Sequence, residues 1–284
     1  MMSAISANDV KTLREKTGAG MMECKNALVE ADGDFAKAEK LLKEKGLAAV
    51  ENRSGRATTE GKVFVKVSGD TAALVELASE TDFVAKNPEF IDLGTRIVEK
   101  VLEKGCNEPN EELNGMVTDL AAKIRENMSL KRVKTVKAAP GEYLTSYIHG
   151  EGTIGVVVKL SSDKAEALTN EEVKAFAFSI ALHVAAFNPM ALDQSKVDQG
   201  WLKEQEEIFR KQMEQDENMQ GKPANVLENI LKGKVSKFLK EICLMDQGYV
   251  KDEKMTVAAA VADAGKKAGA ALSVADFVYF RVGG

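Results

Sequence analysis

One glycine-rich segment resembles the loops that bind nucleotide phosphates. The segment Gly150–Gly155 has the glycine spacing of a dinucleotide fingerprint and of the glycine-rich loop of protein kinases. A dinucleotide site needs a helix directly after the glycines, whereas the β-branched residues at 154–160 predict a strand. The sequence contains no His-Arg-Asp, no Asp-Phe-Gly and no Walker lysine loop. The pattern therefore predicts a hairpin turn between strands at 143–148 and 154–160, without a nucleotide pocket.

Two histidines are candidates for acid–base chemistry. His149, at the tip of this predicted hairpin, can serve as a base or as an exposed contact residue, and no nucleophile with a recognisable elbow stands nearby. His183 lies in the apolar segment 175–187, which is too short to span a bilayer and predicts a buried helix. A core histidine is the favoured interpretation there, and a binding-face residue is the alternative. The widely spaced Cys24, Cys106 and Cys243 support neither a disulfide framework nor a zinc site. No cofactor is expected.

Secondary-structure signals surround a further candidate site. Residues 62–67 and 72–77 alternate between apolar and polar side chains on either side of Ser68-Gly69-Asp70, which predicts a β-hairpin. Asn87 can cap a helix whose first position suits Pro88. The residues between this hairpin and this helix therefore form a strand-to-helix connection.

That connection, Thr81–Lys86, places the acidic Asp82 beside the aromatic Phe83. Connections of this kind lie at the surface and often carry function, so the pair is a candidate contact surface. Phe83 is also in phase with the strand residues Val75 and Leu77, and the pattern alone favours a Phe83 that closes the core.

Residues 1–56 predict a compact three-helix module. Ser6 and Asp9 form a capping arrangement for a first helix that stops at Thr17-Gly18. A second helix starts near Met22, and Asp34 can cap a third. Apolar residues at helical spacing predict the core of the module: Val10, Leu13, Cys24, Ala27, Leu28, Ala31, Phe35, Ala38, Leu41 and Leu42.

The loop between the first two helices carries Met21 and Met22 behind Gly18-Ala19-Gly20. Two flexible thioether side chains there form an adaptable docking surface, unless they fill the core of the module. We expect one buried and one exposed methionine. The polar stretch 51–61 that follows the module is typical of a linker.

The remaining sequence predicts a second α+β unit with an inserted helical hairpin. The charged segment 193–219 has a sparse apolar row that includes Trp201, and Gly221-Lys222-Pro223 breaks it. An apolar stripe between Val226 and Leu239 predicts a returning helix that packs against the first arm in antiparallel fashion. Further strands are predicted at 242–250 and 275–282, with a helix at 257–271 between them.

These signals divide the chain into four predicted parts. The predicted pattern of a β-hairpin followed by a helix at 62–104 recurs at 143–187, which indicates two related α+β core subdomains. The predicted boundaries are 1–56 for the three-helix module, 57–140 for the first core subdomain, 141–190 with 230–284 for the second, and 191–229 for the helical hairpin.

Composition limits the class of protein. A chain of 284 residues with 44% apolar and 29% charged residues suits a soluble globular protein of two or three small domains. The net charge of −5 argues against direct nucleic-acid binding, so the basic stretch Lys131-Arg132-Val133-Lys134 is interpreted as a solvated face. The N-terminus has no basic and then apolar leader, and no membrane is expected, so we expect a cytoplasmic location.

Two long signatures resemble the family of bacterial translation elongation factor Ts. They are Leu13–Leu28 and Glu76–Lys86, and shorter stretches at 122–124, 146–150, 183–186 and 221–223 resemble the same family in the matching order. The resemblance implies an α+β core, an N-terminal module like a ubiquitin-associated bundle, and a helical hairpin linked to dimerisation. A homodimer through that hairpin is therefore an open expectation.

The resemblance also implies a nucleotide exchange factor that does no covalent chemistry. Such a factor binds elongation factor Tu with GDP, disturbs its magnesium and phosphate site, and lets GTP enter. Phe83 would wedge beside the partner's magnesium, and His149 would press towards its phosphate-binding loop. The implied partner-contacting residues are Met21, Met22, Lys25, Thr81, Asp82, Phe83, Val84, Ile124, His149 and Val250.

The resemblance is incomplete at one end, and two other functions remain open. Longer members continue past the final strand into a C-terminal helical module, whereas this sequence stops at Gly284, so one partner contact is expected to be missing. A protein-binding scaffold would use the N-terminal module alone, and an enzyme would use His149.

Overall fold

The computed structural model describes residues 5–284, and the protein is α+β. Contacts divide the chain into two units. The first consists of the residues up to Val136 together with Ile148–Gly155 and Phe280–Gly284, and the second consists of Lys137–Tyr147 and Val156–Tyr279. Within the described range, no helix is both long and apolar enough to cross a membrane.

The first unit begins with the predicted three helices. Ser6 caps α1 in a capping box with Asp9, Gly18 ends that helix in the left-handed conformation, and Asp34 caps α3. Val10, Leu13, Cys24, Ala27, Leu28, Ala31 and Ala38 form the buried core of the bundle. The bounds are Ala7–Thr17 for α1, Met21–Glu30 for α2 and Phe35–Glu51 for α3.

The predicted linker is shorter than expected and is held in place. Because α3 extends through Glu51 and the first strand begins at Glu60, only residues 52–59 connect them. The side-chain amide of Asn127 donates hydrogen bonds to the carbonyl oxygens of Ser54 (3.2 Å) and Arg56 (2.7 Å). These bonds fix the connection to the rest of the first unit.

A three-stranded sheet and two long helices complete the core of the first unit. The predicted hairpin is confirmed as an antiparallel pair in which Glu60 lies opposite Ser79 and Ser68 opposite Thr71. Gly61 has a φ of +144°, and a Cβ there would lie 2.2 Å from the carbonyl oxygen of Leu77, so glycine is required. The strand order is β1-β2-β3, with β1 at Glu60–Ser68, β2 at Thr71–Ser79 and β3 at Met128–Lys137. The short α4 spans Asp82–Ala85, α5 spans Pro88–Lys104 and α6 spans Glu111–Ile124.

A second three-stranded sheet, of order β4-β5-β8, again has its third strand supplied from later in the chain. The glycine-rich segment is the predicted turn of this sheet, between β4 and β5, and no helix follows it directly. The bounds are Glu142–His149 for β4, Ile154–Ser162 for β5, Glu171–Phe187 for α7, Gln199–Gln215 for α8, Ala224–Ile242 for α9, Gly248–Tyr249 for β6, Asp252–Thr256 for β7, Val257–Ala268 for α10 and Leu272–Arg281 for β8.

The prediction of a strand at 242–250 is wrong. The helix α9 continues through Ile242, a 3-10 turn follows at Leu244–Asp246, and only Gly248–Tyr249 is extended. Cys243 and Leu244 are fully buried. A short apolar run has the same appearance at the buried end of a helix as in a strand, which explains the error.

The predicted helical hairpin is present in the second unit. The ring of Phe238 on α9 lies 5.8 Å from the Trp201 ring and 5.4 Å from the Phe209 ring, both on α8. Arg210 and Glu228 form an exposed ion pair at 3.4 Å between the two arms. The helix α9 runs without interruption through residues 229 and 230, where we predicted a domain boundary.

His183 is a buried core residue, as favoured from the sequence. Its Nε2 lies 2.9 Å from Oε1 of Gln247, and its Nδ1 accepts a hydrogen bond of 3.1 Å from the backbone N–H of Val250. Burial lowers the pKa of this imidazole, and the bond to Gln247 opposes that effect in part. The ring is thus held neutral in the folded protein.

We expect His183 to make the fold sensitive to mild acid. The unfolded chain binds a proton near the ordinary imidazole pKa of 6.5, whereas the folded chain does not. The stabilisation is therefore complete above pH 6.5 and falls by up to ~1.4 kcal/mol per pH unit below it, until the lowered pKa is reached. Urea unfolding at pH 7.5 and 5.5 measures this slope. His183→Gln should flatten it. Equal slopes in the unaltered protein and the variant would contradict the assignment.

Candidate functional site

The connection after β2 is a capped single turn of helix rather than an irregular loop. The Thr81 side chain accepts a hydrogen bond of 3.3 Å from the backbone N–H of Val84, and so caps α4. The side chains of Val84 and Ala85 are 7% and 5% exposed and belong to the core of the first unit. The resemblance implies that Val84 contacts the partner, whereas its side chain lies in the core of the first unit and anchors the turn.

Phe83 is the most exposed large apolar side chain among the described residues, at 81%. The strand phase that favoured burial is wrong, because β2 ends at Ser79 and helical geometry begins at Asp82. One residue of helix rotates the side chain direction by about 100°, so Phe83 faces solvent while Val84 faces the core. The candidate contact surface is thus an aromatic ring raised on a fixed turn.

The acidic neighbour of Phe83 is paired within the same turn. Asp82 accepts a hydrogen bond of 2.8 Å from the Lys86 ammonium, and this bond is the main reason that the pKa of Asp82 lies below its usual value. The same bond raises the pKa of Lys86, to which the negative charges of Glu151 and Glu60 also contribute. Both groups therefore stay charged at neutral pH beside the exposed ring.

The tip of the β4–β5 hairpin belongs to the same unit and lies over β1. The Lys62 ammonium donates a hydrogen bond to the carbonyl oxygen of Glu151, and a Cβ on Gly152 would lie 3.3 Å from the Lys62 side chain. Gly150, Glu151 and Gly152 all have positive φ values, of 55°, 57° and 104°. His149 is exposed at this tip, and the negative charge of Glu151 contributes to the raised pKa of Lys86. The glycines serve a tight turn.

The start of α2 forms a second exposed surface in the first unit. Met21 and Met22 are 46% and 65% exposed, and Lys25 is exposed too, so the expectation of one buried methionine is wrong. Both methionines lie in the first turn of α2, where Gly20 is the N-cap, and Cys24 and Leu28 fill the core behind them. The two thioethers are therefore available to a partner.

The last two predicted contact residues differ in their surroundings. Ile124, at the end of α6, is partly buried and packs against the core of the first unit. Val250 is 37% exposed in the second unit, next to the buried His183. The described residues contain no group of three or more His, Cys, Asp or Glu side chains placed to hold a metal ion.

Two carboxylates that support the turn cannot be identified from the sequence. Glu126 accepts hydrogen bonds from both the backbone N–H and the hydroxyl of Thr81, at 3.2 and 2.8 Å. Glu80 accepts one of 2.6 Å from the backbone N–H of Asn127. The partners are more than forty positions apart in sequence, and no local pattern signals such a contact.

Comparison with known proteins identifies the family to which this chain is similar. The model of the family described as Elongation factor TS matches residues 80–284, which include the Phe83 turn and the hairpin tip. Proteins named Elongation factor Ts are similar over nearly the whole chain. That of Treponema denticola is 48% identical over 279 residues, covering 98% of each chain.

The chain belongs to the elongation factor Ts family.

Two other members support the assignment. Elongation factor Ts of Treponema pallidum is 45% identical over 290 residues, with 98% of this chain and 99% of the relative covered. That of Clostridium acetobutylicum is 41% identical over 292 residues, with 98% and 92% covered. The resemblance carried by the two signatures is confirmed, and the protein is a translation elongation factor of the Ts type.

Proposed function

We propose that this member of the elongation factor Ts family is a guanine nucleotide exchange factor for elongation factor Tu. The observation that carries the proposal is the 81% exposed ring of Phe83 on a turn whose next two side chains, Val84 and Ala85, are buried. A large aromatic group normally avoids water, so one held outward by a fixed turn is suited to insert into a partner. Phe83 inserts beside the partner's bound magnesium, and His149 presses towards its phosphate-binding loop.

Thermodynamic linkage explains how such an insertion releases nucleotide. If the factor binds nucleotide-free elongation factor Tu more tightly than the GDP form, GDP affinity must fall by the same ratio whenever the factor is bound. Each tenfold loss of GDP affinity requires ~1.4 kcal/mol of difference in binding. One well-packed aromatic side chain can supply ~2 kcal/mol or more of that difference. No covalent step and no cofactor are needed.

The other implied contact residues extend the proposed interface. Thr81, Asp82 and Ile124 contribute to the same surface as Phe83, and Met21, Met22 and Lys25 bind the partner from the N-terminal module, which we compare to a ubiquitin-associated bundle. Val250 contributes from the second unit. Two further proposals are a homodimer through the α8–α9 hairpin and a cytoplasmic location, without direct binding to nucleic acid or membrane.

The direct test follows fluorescently labelled GDP as it leaves elongation factor Tu in the presence of excess unlabelled GDP. Catalytic amounts of this protein should accelerate release, and the acceleration should saturate with factor concentration. An unchanged rate at every factor concentration would overturn the proposed function. Covalent turnover that disappears in His149→Ala would instead support the enzyme alternative.

The N-terminal methionines should govern affinity for the partner rather than the speed of the exchange step. Replacing Met21 and Met22 by serine removes two apolar contacts of ~1 kcal/mol each, so the half-saturating factor concentration should rise about thirtyfold. The maximal release rate should change little. Val29→Ser, on an exposed residue of the same helix, is the matched control. Equal effects of the control and the double variant would remove the methionines from the interface.

A further inference from the structure

The residues directly after α6 connect three parts of the first unit. The Arg125 guanidinium pairs with the Glu23 carboxylate, which in turn accepts a hydrogen bond of 3.0 Å from the backbone N–H of Gly20 at the start of α2. Asn127 binds the connection after α3 through its side chain and Glu80 through its backbone. Glu126 lies between them and is bonded to Thr81.

The flanking contacts hold Glu126 in one place. Arg125 has a φ of +69°, a left-handed conformation that ends α6, and its backbone N–H donates to the carbonyl oxygen of Ala121 at 2.9 Å. Asn127 is 6% exposed and makes hydrogen bonds from both its backbone and its side chain. The backbone on either side of Glu126 is therefore fixed, and its carboxylate acts from a rigid position.

Both oxygens of the Glu126 carboxylate are directed at one residue of the turn. Oε2 accepts from the Thr81 backbone N–H at 3.2 Å, and Oε1 accepts from the Thr81 hydroxyl at 2.8 Å. Because the hydroxyl proton is used in this way, the lone pairs of the oxygen face the Val84 N–H that it caps at 3.3 Å. Ser79 holds the same residue from the other side by donating to its carbonyl oxygen at 3.0 Å.

We propose that Glu126 is a positioning residue for nucleotide exchange. It acts through Thr81 to fix the helical turn that presents Phe83, and the inference rests on the proposed exchange function. A turn of four residues is too short to be stable alone, so its orientation depends on these bonds together with the burial of Val84 and Ala85. Without the Glu126 carboxylate the turn samples several orientations, and only a fraction of encounters places the ring for insertion.

The exchange kinetics of Glu126→Ala should separate positioning from partner binding. We expect the maximal rate of GDP release to fall about tenfold, the factor set by ~1.4 kcal/mol, while the half-saturating factor concentration changes less than about twofold. Glu126→Gln, which keeps one acceptor oxygen, should recover part of the rate. The matched control is Glu112→Ala, which removes a carboxylate of α6 bound to Lys100 and Lys104, away from the turn.

A double-mutant cycle tests whether Glu126 acts through Thr81. The loss caused by Glu126→Ala should be clearly smaller in a Thr81→Val background, because the hydroxyl bond is already absent there. Equal losses in both backgrounds would contradict the proposed route.

A partner-free measurement reports the turn itself. In a Trp201→Phe background, Phe83→Trp provides a single tryptophan on the α4 turn. The fluorescence anisotropy of this tryptophan should fall when Glu126→Ala is added. The thermal midpoint is measured in parallel. Lower anisotropy with a midpoint changed by only a few degrees supports positioning, and unchanged anisotropy overturns it.

The two proposals fail in different ways. If the unaltered protein does not accelerate GDP release, the exchange function itself is wrong, whatever the anisotropy shows. If it does accelerate release and Glu126→Ala is as fast as the unaltered protein, exchange stands and the role of Glu126 is overturned. A lower rate in both Glu126→Ala and Glu112→Ala, with lower thermal midpoints in both, would also overturn the role, because it would reflect stability alone.

Discussion

Phe83→Ala should slow the factor-stimulated release of labelled GDP from elongation factor Tu by about thirtyfold, the factor that corresponds to ~2 kcal/mol. The ring is 81% exposed, so its removal costs the isolated protein almost no packing. The whole effect should therefore appear in the complex. Stopped-flow fluorescence with saturating factor measures the release rate, and circular dichroism verifies that the variant is folded.

Phe178→Ala is the matched control for this substitution. Phe178 is a phenylalanine of the second unit that is 41% exposed, and it was not assigned to the interface. It should leave the release rate within about twofold of the unaltered protein. Phe83→Ala with unaltered exchange and binding would contradict the wedge and would favour a scaffold that uses the N-terminal module alone.

Glu76→Ala should lower the free energy of unfolding by about 2–3 kcal/mol, the largest effect on stability that we expect from a single charged residue of this chain. The Glu76 side chain is 2% exposed and lies in β2. It accepts hydrogen bonds from Nε of Arg132 at 2.6 Å and from the backbone N–H of Gly283 at 3.0 Å. Arg132 also donates to the carbonyl oxygen of Arg281 at 2.8 Å.

The cost arises because removal of Glu76 leaves its donors without their acceptor. The Arg132 guanidinium, 4.5 Å from the centre of the Phe280 ring, keeps that contact but loses its counter-ion. Urea denaturation at pH 7 measures the loss. Glu99→Ala, which breaks the exposed pair with Lys66, should cost less than about 1 kcal/mol. Similar losses in the two variants would show that Glu76 is not a buried anchor.

Local signals in the sequence predicted the helix and strand positions well. The capping box of Ser6, the Asn87-Pro88 start of α5 and the turn at Ser68-Gly69-Asp70 each depend on residues within a few positions of one another. Such interactions do not depend on distant parts of the chain, so the sequence alone reveals them. The strand prediction for residues 242–250 is wrong because the burial of this segment depends on Ala191, Val197 and other residues far away in the sequence.

The candidate site was predictable in position but not in detail. Strand phase favoured a buried Phe83, because period-two alternation cannot show that a helical turn begins at Asp82. The resemblance to the family implies that the Phe83 ring faces outward, and the exposed ring agrees with this expectation. The supports of the turn were not visible at all, since Glu126 and Thr81 are 45 positions apart. Only the fold brings them together.

Photo-crosslinking from position 83 tests directly whether the Phe83 side chain inserts into the partner. A photoreactive benzoylphenylalanine replaces Phe83, and the same group at position 178 serves as the control. With nucleotide-free elongation factor Tu, we expect a crosslink from position 83 to the nucleotide-binding domain of the partner, and this crosslink should be lost when excess GDP and magnesium are added. A complex that forms normally but gives no crosslink from position 83, or the same crosslink with and without nucleotide, would contradict it.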